Sequence, residues 1–208
     1  MTEQEAQAWL SALDVPRETF ERLQRFIDLL IAEAEEQNLI AASTIDHIWS
    51  RHIVDSAQLV PLAAVNSGAW LDLGSGAGFP GLIVAALTDR PVTLVESRRK
   101  RCQFLEAAIG CLGLEQRVTL CASRLETVDS APFAVISARA FAPLDRLLPL
   151  AERFSTRSTL WLLPKGRNAS NELDAARTSW QGDFRIEPSV TDPESAILLL
   201  SDVRRRRR

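Results

Sequence analysis

Trp70-Leu-Asp-Leu-Gly-Ser-Gly-Ala-Gly-Phe-Pro-Gly81 joins an apolar strand to an alanine-rich helical segment through alternating glycines. Gly74, Gly76 and Gly78 let the backbone turn sharply and approach a ligand closely, because no Cβ stands in the way. A helix starting here offers unpaired N–H groups in its first turn. The stretch reads as a nucleotide site. Gly76-Ala-Gly78-Phe-Pro-Gly81 satisfies G-x-G-x-x-G, the dinucleotide fingerprint, which carries little weight alone. In that fingerprint the first glycine closes the strand. Here the strand closes two residues earlier, at Gly74, so the dinucleotide register fits poorly.

Asp72 precedes Gly74 by two positions, and Asp-x-Gly-x-Gly-x-Gly resembles the first motif of methyltransferases that use S-adenosylmethionine. Next comes Pro91-Val-Thr-Leu-Val95, a β-branched strand running into Glu96. A carboxylate at this distance accepts hydrogen bonds from ribose hydroxyls. The register of Asp72 and Gly74 favours S-adenosylmethionine over a nicotinamide dinucleotide, and the carboxylate fits a ribose-bearing cofactor.

Outward from this turn, strands alternate with helices, the pattern of a mostly parallel sheet covered on both faces. Strands are expected near 69–73, 91–95, 117–121, 133–138, 158–163, 184–187 and 196–201. Helices are expected near 80–88, 98–112, 143–153 and 168–180. The fold class is α/β, a Rossmann-like, doubly wound sheet of seven strands, with the last two in an antiparallel hairpin. Residues 1–68 read as a helical extension packed on the core. Phe20, Leu23, Ile27, Leu30, Ile31 and Ala34 recur at helix spacing. A second helix, capped by Thr44, would bury Ile45, Ile48, Trp49, Ile53 and Val60. Residues 69–203 form the nucleotide-binding, methyltransferase-like domain, and 204–208 a basic tail expected to be disordered.

With 46% hydrophobic and 25% charged residues the composition is that of a soluble globular protein. The acidic, polar start is no signal peptide, and no apolar run approaches the ~20 residues of a membrane span. Cys102, Cys111 and Cys121 are odd in number and lack C-x-x-C spacing, which argues against disulfides and zinc. Cys102 shares a stripe with Leu105, Ile109 and Leu112, a core position. A reduced, cytoplasmic protein is the expectation. Five of 24 basic residues are Arg204 to Arg208, so the rest of this −3 chain is more acidic still. Nucleic-acid contact would have to come from local clusters.

Several loops hold candidate site residues. Ser97 is placed to cap a helix whose first turn is Arg98-Arg99-Lys100-Arg101. Cations there oppose the helix dipole by a few tenths of a kcal/mol each, so phosphate contact or local pairing, such as Lys100 with Glu96, should compensate. In a doubly wound sheet the loops after the strands face the ligand. Leu125 and Glu126 follow the third strand and suit an adenine. Arg139, after the fourth, suits the carboxylate of a sulfonium cofactor or a substrate phosphate. Lys165, after the fifth, opens on the same cleft and is one of two lysines in the chain. His47, Arg51, His52 and Asp55 share a helical segment, where a surface charge cluster accounts for their spacing. No metal-ligand spacing is present, and no metal is expected.

Asn38-Leu, Ile48-Trp-Ser-Arg-His-Ile-Val-Asp-Ser56, Leu71 to Gly81, Val95-Glu-Ser-Arg-Arg-Lys-Arg101, Ser137-Ala-Arg-Ala-Phe-Ala-Pro-Leu144 and Leu163-Pro-Lys-Gly166 together resemble the RsmG (GidB) family. That resemblance implies a bacterial methyltransferase acting on ring nitrogen-7 of a guanine in 16S ribosomal RNA. It implies S-adenosylmethionine contacts at Gly74, Phe79, Leu125, Glu126 and Arg139, beside Gly76, Gly78 and Glu96 from the reading of the loop. Arg139 and Lys165 are candidates at the methyl-transfer cleft, and Arg51, His52, Arg98, Arg99 and Arg101 are candidates for RNA. The implied partner is 16S RNA or the small ribosomal subunit; apart from the resemblance, a monomer without membrane attachment is expected. Two departures stand out: the family's Asn-Leu-Thr reads Asn38-Leu-Ile, and the arginine tail is foreign to the pattern. A small-molecule methyltransferase, a nicotinamide oxidoreductase and a non-catalytic nucleotide sensor are the alternatives. Guanine nitrogen-7 has a free lone pair and no proton to lose, so a site lacking a paired acid and base suits the chemistry.

Overall fold

The computed structural model describes residues 1–206. Seven strands form one sheet: β1 (Trp70–Leu73), β2 (Val92–Val95), β3 (Val118–Cys121), β4 (Val135–Ala138), β5 (Leu160–Lys165), β6 (Trp180–Pro188) and β7 (Ala196–Arg205). Their order is β3-β2-β1-β4-β5-β7-β6. The first five run parallel, and β7 pairs antiparallel with both β5 and β6. The expected hairpin is therefore present, longer than its apolar pattern suggests. The winding reverses between β1 and β4, and at such a point the strand ends splay into a crevice.

The helices are α1 (Glu3–Ser11), α2 (Arg17–Ala34), α3 (Asp55–Ala57), α4 (Leu59–Leu62), α5 (Gly81–Leu87), α6 (Arg99–Leu112), α7 (Leu144–Ala151) and α8 (Ala169–Arg177). One face of the sheet is covered by α2, α5 and α6. There Leu23, Phe26 and Leu30 share a core with Trp70, Leu82, Leu94 and Phe104. The opposite face carries α7 and α8, with Leu147, Phe154, Trp161 and Leu173 in a second core. Residues of α2 thus help to build the main core. Full burial of a side chain like Phe26 contributes roughly 1.5–3 kcal/mol. Among the described residues no helix is long and apolar enough to cross a membrane.

Three local expectations are corrected. Residues 42–62 are not one helix capped by Thr44. A 3-10 turn (Ala42–His47) leads into a π-helical turn (Trp49–Val54), then α3 and α4. Thr44 bonds back to the carbonyl of Ala41. The wide π turn buries His52, Ile53 and Val54 together, three successive positions that a regular helix would spread around its axis. Val60 is only half-buried. At the start of the π turn, Glu3 of α1 accepts from the N–H groups of Trp49 and Ser50, both at 2.9 Å.

The second correction concerns α6, which begins at Arg99 and is not capped by Ser97. Glu96 Oε1 instead accepts from the N–H groups of Ser97 and Arg98. The carboxylate is the stronger acceptor, and its negative charge suits the helix start.

The third is the basic tail. Arg204 and Arg205 belong to β7, paired with Gln181 and Trp180, and the Arg205 guanidinium lies 5.1 Å over the Trp180 ring. Arg206 bonds the carbonyl of Trp180. The rest of that run lies outside the described residues.

Candidate active site

The glycine loop leaves β1 at the reversal point. Gly74, Gly76 and Gly78 have φ of +67°, +58° and +88°, a region closed to most side chains. The neighbourhoods differ. A Cβ on Gly74 would strike the Phe141 ring, and one on Gly78 the Leu82 side chain. A Cβ on Gly76 would meet nothing nearer than 3.7 Å, so there the backbone conformation alone requires glycine. Gly81 opens α5 directly against β1, with Asp72 Cβ 2.9 Å from where its own Cβ would be.

Asp72 lies beneath the loop, fully buried. Its Oδ1 accepts from Ser137 Oγ at 2.7 Å, and Ser137 Oγ accepts from Trp70 Nε1 at 2.8 Å. Burial pushes the Asp72 carboxyl above its ordinary pKa, against the lowering pull of Ser137 and Ser75. Asp72 therefore ties β1 to β4 below the cleft, and no ligand reaches it.

Glu96, 5% exposed, organises the wall opposite. Its Oε2 accepts from Gly76 N at 3.1 Å, while Oε1 holds Ser97 N and Arg98 N at 2.8 Å each. A carboxylate has about four lone-pair sites, so capacity remains for a ligand hydroxyl. Arg101, not Lys100, is the cation beside it, at 3.8 Å. Arg101 also reaches the carbonyl of Asn38. Arg101 is thus turned into the wall, whereas Arg98 and Arg99 stand exposed at its rim. Leu125 is buried in a 3-10 turn after β3, and Glu126 beside it is exposed.

Across the cleft, Arg139 is the hub. Its Nη1 donates to Asp55 Oδ2 at 3.0 Å and to the carbonyl of Arg51 at 3.2 Å. Its Nη2 donates to His52 Nδ1 at 3.1 Å, and its guanidinium lies 5.0 Å over the Phe79 ring. An acceptor at Nδ1 places the His52 proton on Nε2, which donates to Thr44 Oγ1 at 2.8 Å. Burial, with the Arg139 and Arg51 charges adding to it, lowers the His52 pKa to about 3. The imidazole is neutral and stacked on Phe79, 5.0 Å between centroids. The sequence pattern puts His52 at an RNA surface; in the fold it is buried and fully engaged. The Phe79 ring is also buried, between His52, Phe26 and Arg139, and shapes the wall from behind.

Beyond Arg139 lies a cavity of about 700 Å³, bounded by residues 39–55, 139–143, 164–172 and 189–197. Lys165 opens on it as expected and pairs with Glu172 at 2.8 Å. Arg51 pairs with Asp192 on its rim at 2.7 Å, an interaction that holds the Asp192 carboxyl below its usual pKa. Asp55, expected in a surface charge cluster, is instead Arg139's partner in the site. Phe141 lies within a quoted motif without being singled out, and Glu172 and Thr191 carry no local signal. Ala140, at φ +52°, is a non-glycine residue in the left-handed region. Such strain collects where a loop must aim its neighbours, here Arg139 and Phe141. Among the described residues no cluster of His, Cys, Asp and Glu could hold a metal.

Set beside known proteins, residues 19–195 match the model of the family described as GidB, rRNA small subunit methyltransferase G. The chain is 59% identical over 208 residues to the Ribosomal RNA small subunit methyltransferase G of Rhizorhabdus wittichii, covering 99% of this chain and 95% of that protein. The protein of the same name from Zymomonas mobilis is 54% identical, across 98% and 95%. Among solved structures, an O-methyltransferase from Bacillus cereus superimposes with a TM-score of 0.65 at 14% identity, covering 93% of this chain and 96% of that one. A putative O-methyltransferase from Klebsiella pneumoniae does so with 0.61 at 17%, covering 87% and 90%. At such identity these two establish the fold alone.

Proposed function

We infer function from one premise: the chain belongs to the GidB family, rRNA small subunit methyltransferase G. We propose that this enzyme takes its methyl group from S-adenosylmethionine and delivers it to ring nitrogen-7 of a guanine in 16S ribosomal RNA, in the cytoplasm. The extent of the likeness carries the reading, since proteins of that name match nearly the whole chain. A small-molecule acceptor is correspondingly disfavoured.

The residues present fit the cofactor. The loop at Gly76 leaves open space beside a backbone only glycine adopts readily, and Glu96 stands over it with a lone pair in reserve for ribose. When bound, S-adenosylmethionine supplies an electrophilic methyl on a sulfonium. Arg139, fixed by Asp55 and His52, offers a preorganised cation for a carboxylate. Leu125 offers an apolar wall. Gly74, Gly76, Gly78, Phe79, Glu96, Leu125, Glu126 and Arg139 remain the proposed cofactor set, with Phe79 acting through its backbone. His52 has both ring nitrogens engaged and is not a proton acceptor, which suits an acceptor atom with no proton to lose. The site's contribution is positioning and exclusion of water. Arg98 and Arg99, with Arg51 across the cleft, are proposed to meet RNA phosphates.

The test incubates the protein and labelled S-adenosylmethionine with small-subunit particles, and with naked RNA, from a strain lacking the enzyme. Label recovered in 7-methylguanine at one position is the expected result. Cofactor binding without transfer to any RNA from that strain would leave a nucleotide-sensing module instead.

A further inference from the structure

In the same cavity that Arg139 and its partners line, an ammonium and a carboxylate stand side by side. Lys165 Nζ donates to Glu172 Oε2 at 2.8 Å and to the carbonyl of Ala142 at 3.1 Å. The same Oε2 accepts from Leu144 N at 2.9 Å, at the start of α7. Both bonds accepted by Glu172 run to Oε2, which leaves Oε1 for another donor. An ammonium has three N–H groups, and two are committed. The pair is mostly buried, with side-chain exposures of 12% for Lys165 and 26% for Glu172, and it lines a cavity large enough for a nucleobase.

Fastening α7 accounts for one oxygen of Glu172. It does not account for the remaining N–H of Lys165 beside the open Oε1, which together form a donor next to an acceptor with two lone pairs. Guanine presents the complementary row along one edge: O6 accepts, N1–H donates, and the 2-amino group donates. We propose that Lys165 and Glu172 form the base-reading element of this site, with Lys165 donating to O6 and Glu172 Oε1 accepting from N1–H and the 2-amino group. Adenine would set its 6-amino donor against the ammonium and its bare N1 against the carboxylate, wrong at both positions. A buried site built for hydrogen bonds rejects a base that leaves them unmade.

The choice of lysine also fits the acceptor atom. An arginine fork commonly spans O6 and N7 of guanine together, and would cover the nitrogen to be methylated. Lys165, with a single N–H to spare, engages O6 alone and leaves the adjoining N7 lone pair uncovered. In a chain otherwise rich in arginine, this lysine sits where a fork would obstruct the reaction.

The proposal rests on guanine nitrogen-7 as the acceptor, so the experiment maps the product first. Wild-type enzyme labels small-subunit particles, and the modified base is identified. Particles are then reconstituted with guanine, inosine, 2-aminopurine or adenine at the mapped position. Wild type should lose roughly ten- to a hundredfold in kcat/KM with 2-aminopurine and adenine, and less with inosine, which lacks only the 2-amino group. Glu172→Gln should lower kcat/KM on guanine about tenfold or more and shrink the guanine-to-2-aminopurine ratio, with S-adenosylmethionine affinity unchanged. Lys165→Met leaves the bond from Leu144 N to Glu172 intact and should shrink the same ratio, which covers the case of a poorly folded Glu172 variant. A product other than 7-methylguanine overturns the acceptor assignment and this proposal with it. A 7-methylguanine product with base discrimination undiminished in both variants overturns the proposal alone and leaves the pair as a fastener of α7.

Discussion

The glycine-loop side of the cleft and the side around Arg139 are built on opposite plans. At the ends of β1 and β2, one carboxylate holds three backbone N–H groups, all from residues 76–98. At the end of β4 and along the 42–58 segment, side chains pair with side chains from distant segments. Arg139 reaches Asp55 across 84 positions and Arg51 reaches Asp192 across 141. The first plan uses groups fixed by the main chain, so its geometry follows once the loop folds. The second requires the 42–58 segment and the β6–β7 connection to arrive together. Neighbouring ion pairs of that kind orient a guanidinium well, but each partner's loss leaves a partly buried charge behind.

The largest effect is expected where one group serves three. Glu96→Ala should abolish measurable S-adenosylmethionine binding, a loss of over a hundredfold, because hydrogen bonds to a charged group contribute ~1.5–3 kcal/mol each. It should also lower the melting temperature, since Ser97 N and Arg98 N lose their acceptor. Glu96→Gln keeps one acceptor oxygen and should bind more weakly by about tenfold. Calorimetric titration measures both, and full affinity in the alanine variant would remove β2 from the cofactor wall.

Across the cleft the expected loss is smaller and differently distributed. Arg139→Lys keeps the charge but gives up the fork that meets Asp55 and His52 at once. Turnover at saturating RNA and cofactor should fall roughly tenfold or more, by about 1.4 kcal/mol per decade. Thermal stability should fall little, because Lys can still pair with Asp55. If kcat is retained while only the KM for RNA rises, Arg139 is a phosphate ligand and not a positioning group.

This difference in plan also explains what is legible in the sequence. The glycine loop and Glu96 announce themselves, because their function lies in backbone geometry and short-range order that residue type and spacing encode. The five parallel strands are legible for the same reason, being short and mostly apolar runs, while the antiparallel β6 and β7 extend beyond theirs. Arg139 and Lys165 can be located from topology, since each follows a strand that ends at the crevice. Their partners cannot. Nothing local in Asp55, Glu172 or Thr191 says which cation or hydroxyl it will meet. His52 reads as a surface group because Arg51 and Asp55 flank it. The π turn that carries it inward depends on Glu3 and on the Phe79 ring, both remote in the chain. Ser97 reads as a cap, but the fold draws the cap from the preceding carboxylate.

Acid should separate the two sides again. His52 is neutral in the fold, with its pKa lowered to about 3 from an unfolded value of 6.5. Between those values the unfolded chain binds the extra proton, so stability is complete above about pH 6.5 and falls as the pH drops toward 3. Asp192, held low by Arg51, adds a loss of the same sign only below its unfolded value of 3.8. Asp72, raised by burial, acts with the opposite sign, so the comparison with His52→Asn, which keeps Asp72, is what isolates His52 in urea unfolding from pH 7 to 4.5. Wild type should lose up to ~1.4 kcal/mol per pH unit relative to His52→Asn. Asn retains an acceptor for Arg139 but does not titrate. Parallel curves for the two proteins would mean that His52 accepts a proton freely in the fold, and the neutral chain from Arg139 to Thr44 would be wrong.

The smallest expected effect lies on the rim. Arg98 and Arg99 are exposed, while Arg101 folds back toward Glu96 and the carbonyl of Asn38. If the exposed pair meets RNA phosphates, Arg98→Gln with Arg99→Gln should flatten log affinity against log salt by about 0.7–0.9 for each phosphate no longer neutralised. At physiological salt that is a several-fold change, and it should leave S-adenosylmethionine affinity alone. Arg101→Gln should do the reverse, changing cofactor affinity more than the salt slope, because its charge faces Glu96 and the loop. The contrast between these neighbours is the sharper measurement. They share one helix start, so a solvated basic cluster would give them the same small response. Equal slopes for all three would return the cluster to that status and shift the search for RNA-binding groups to Arg51 across the cleft.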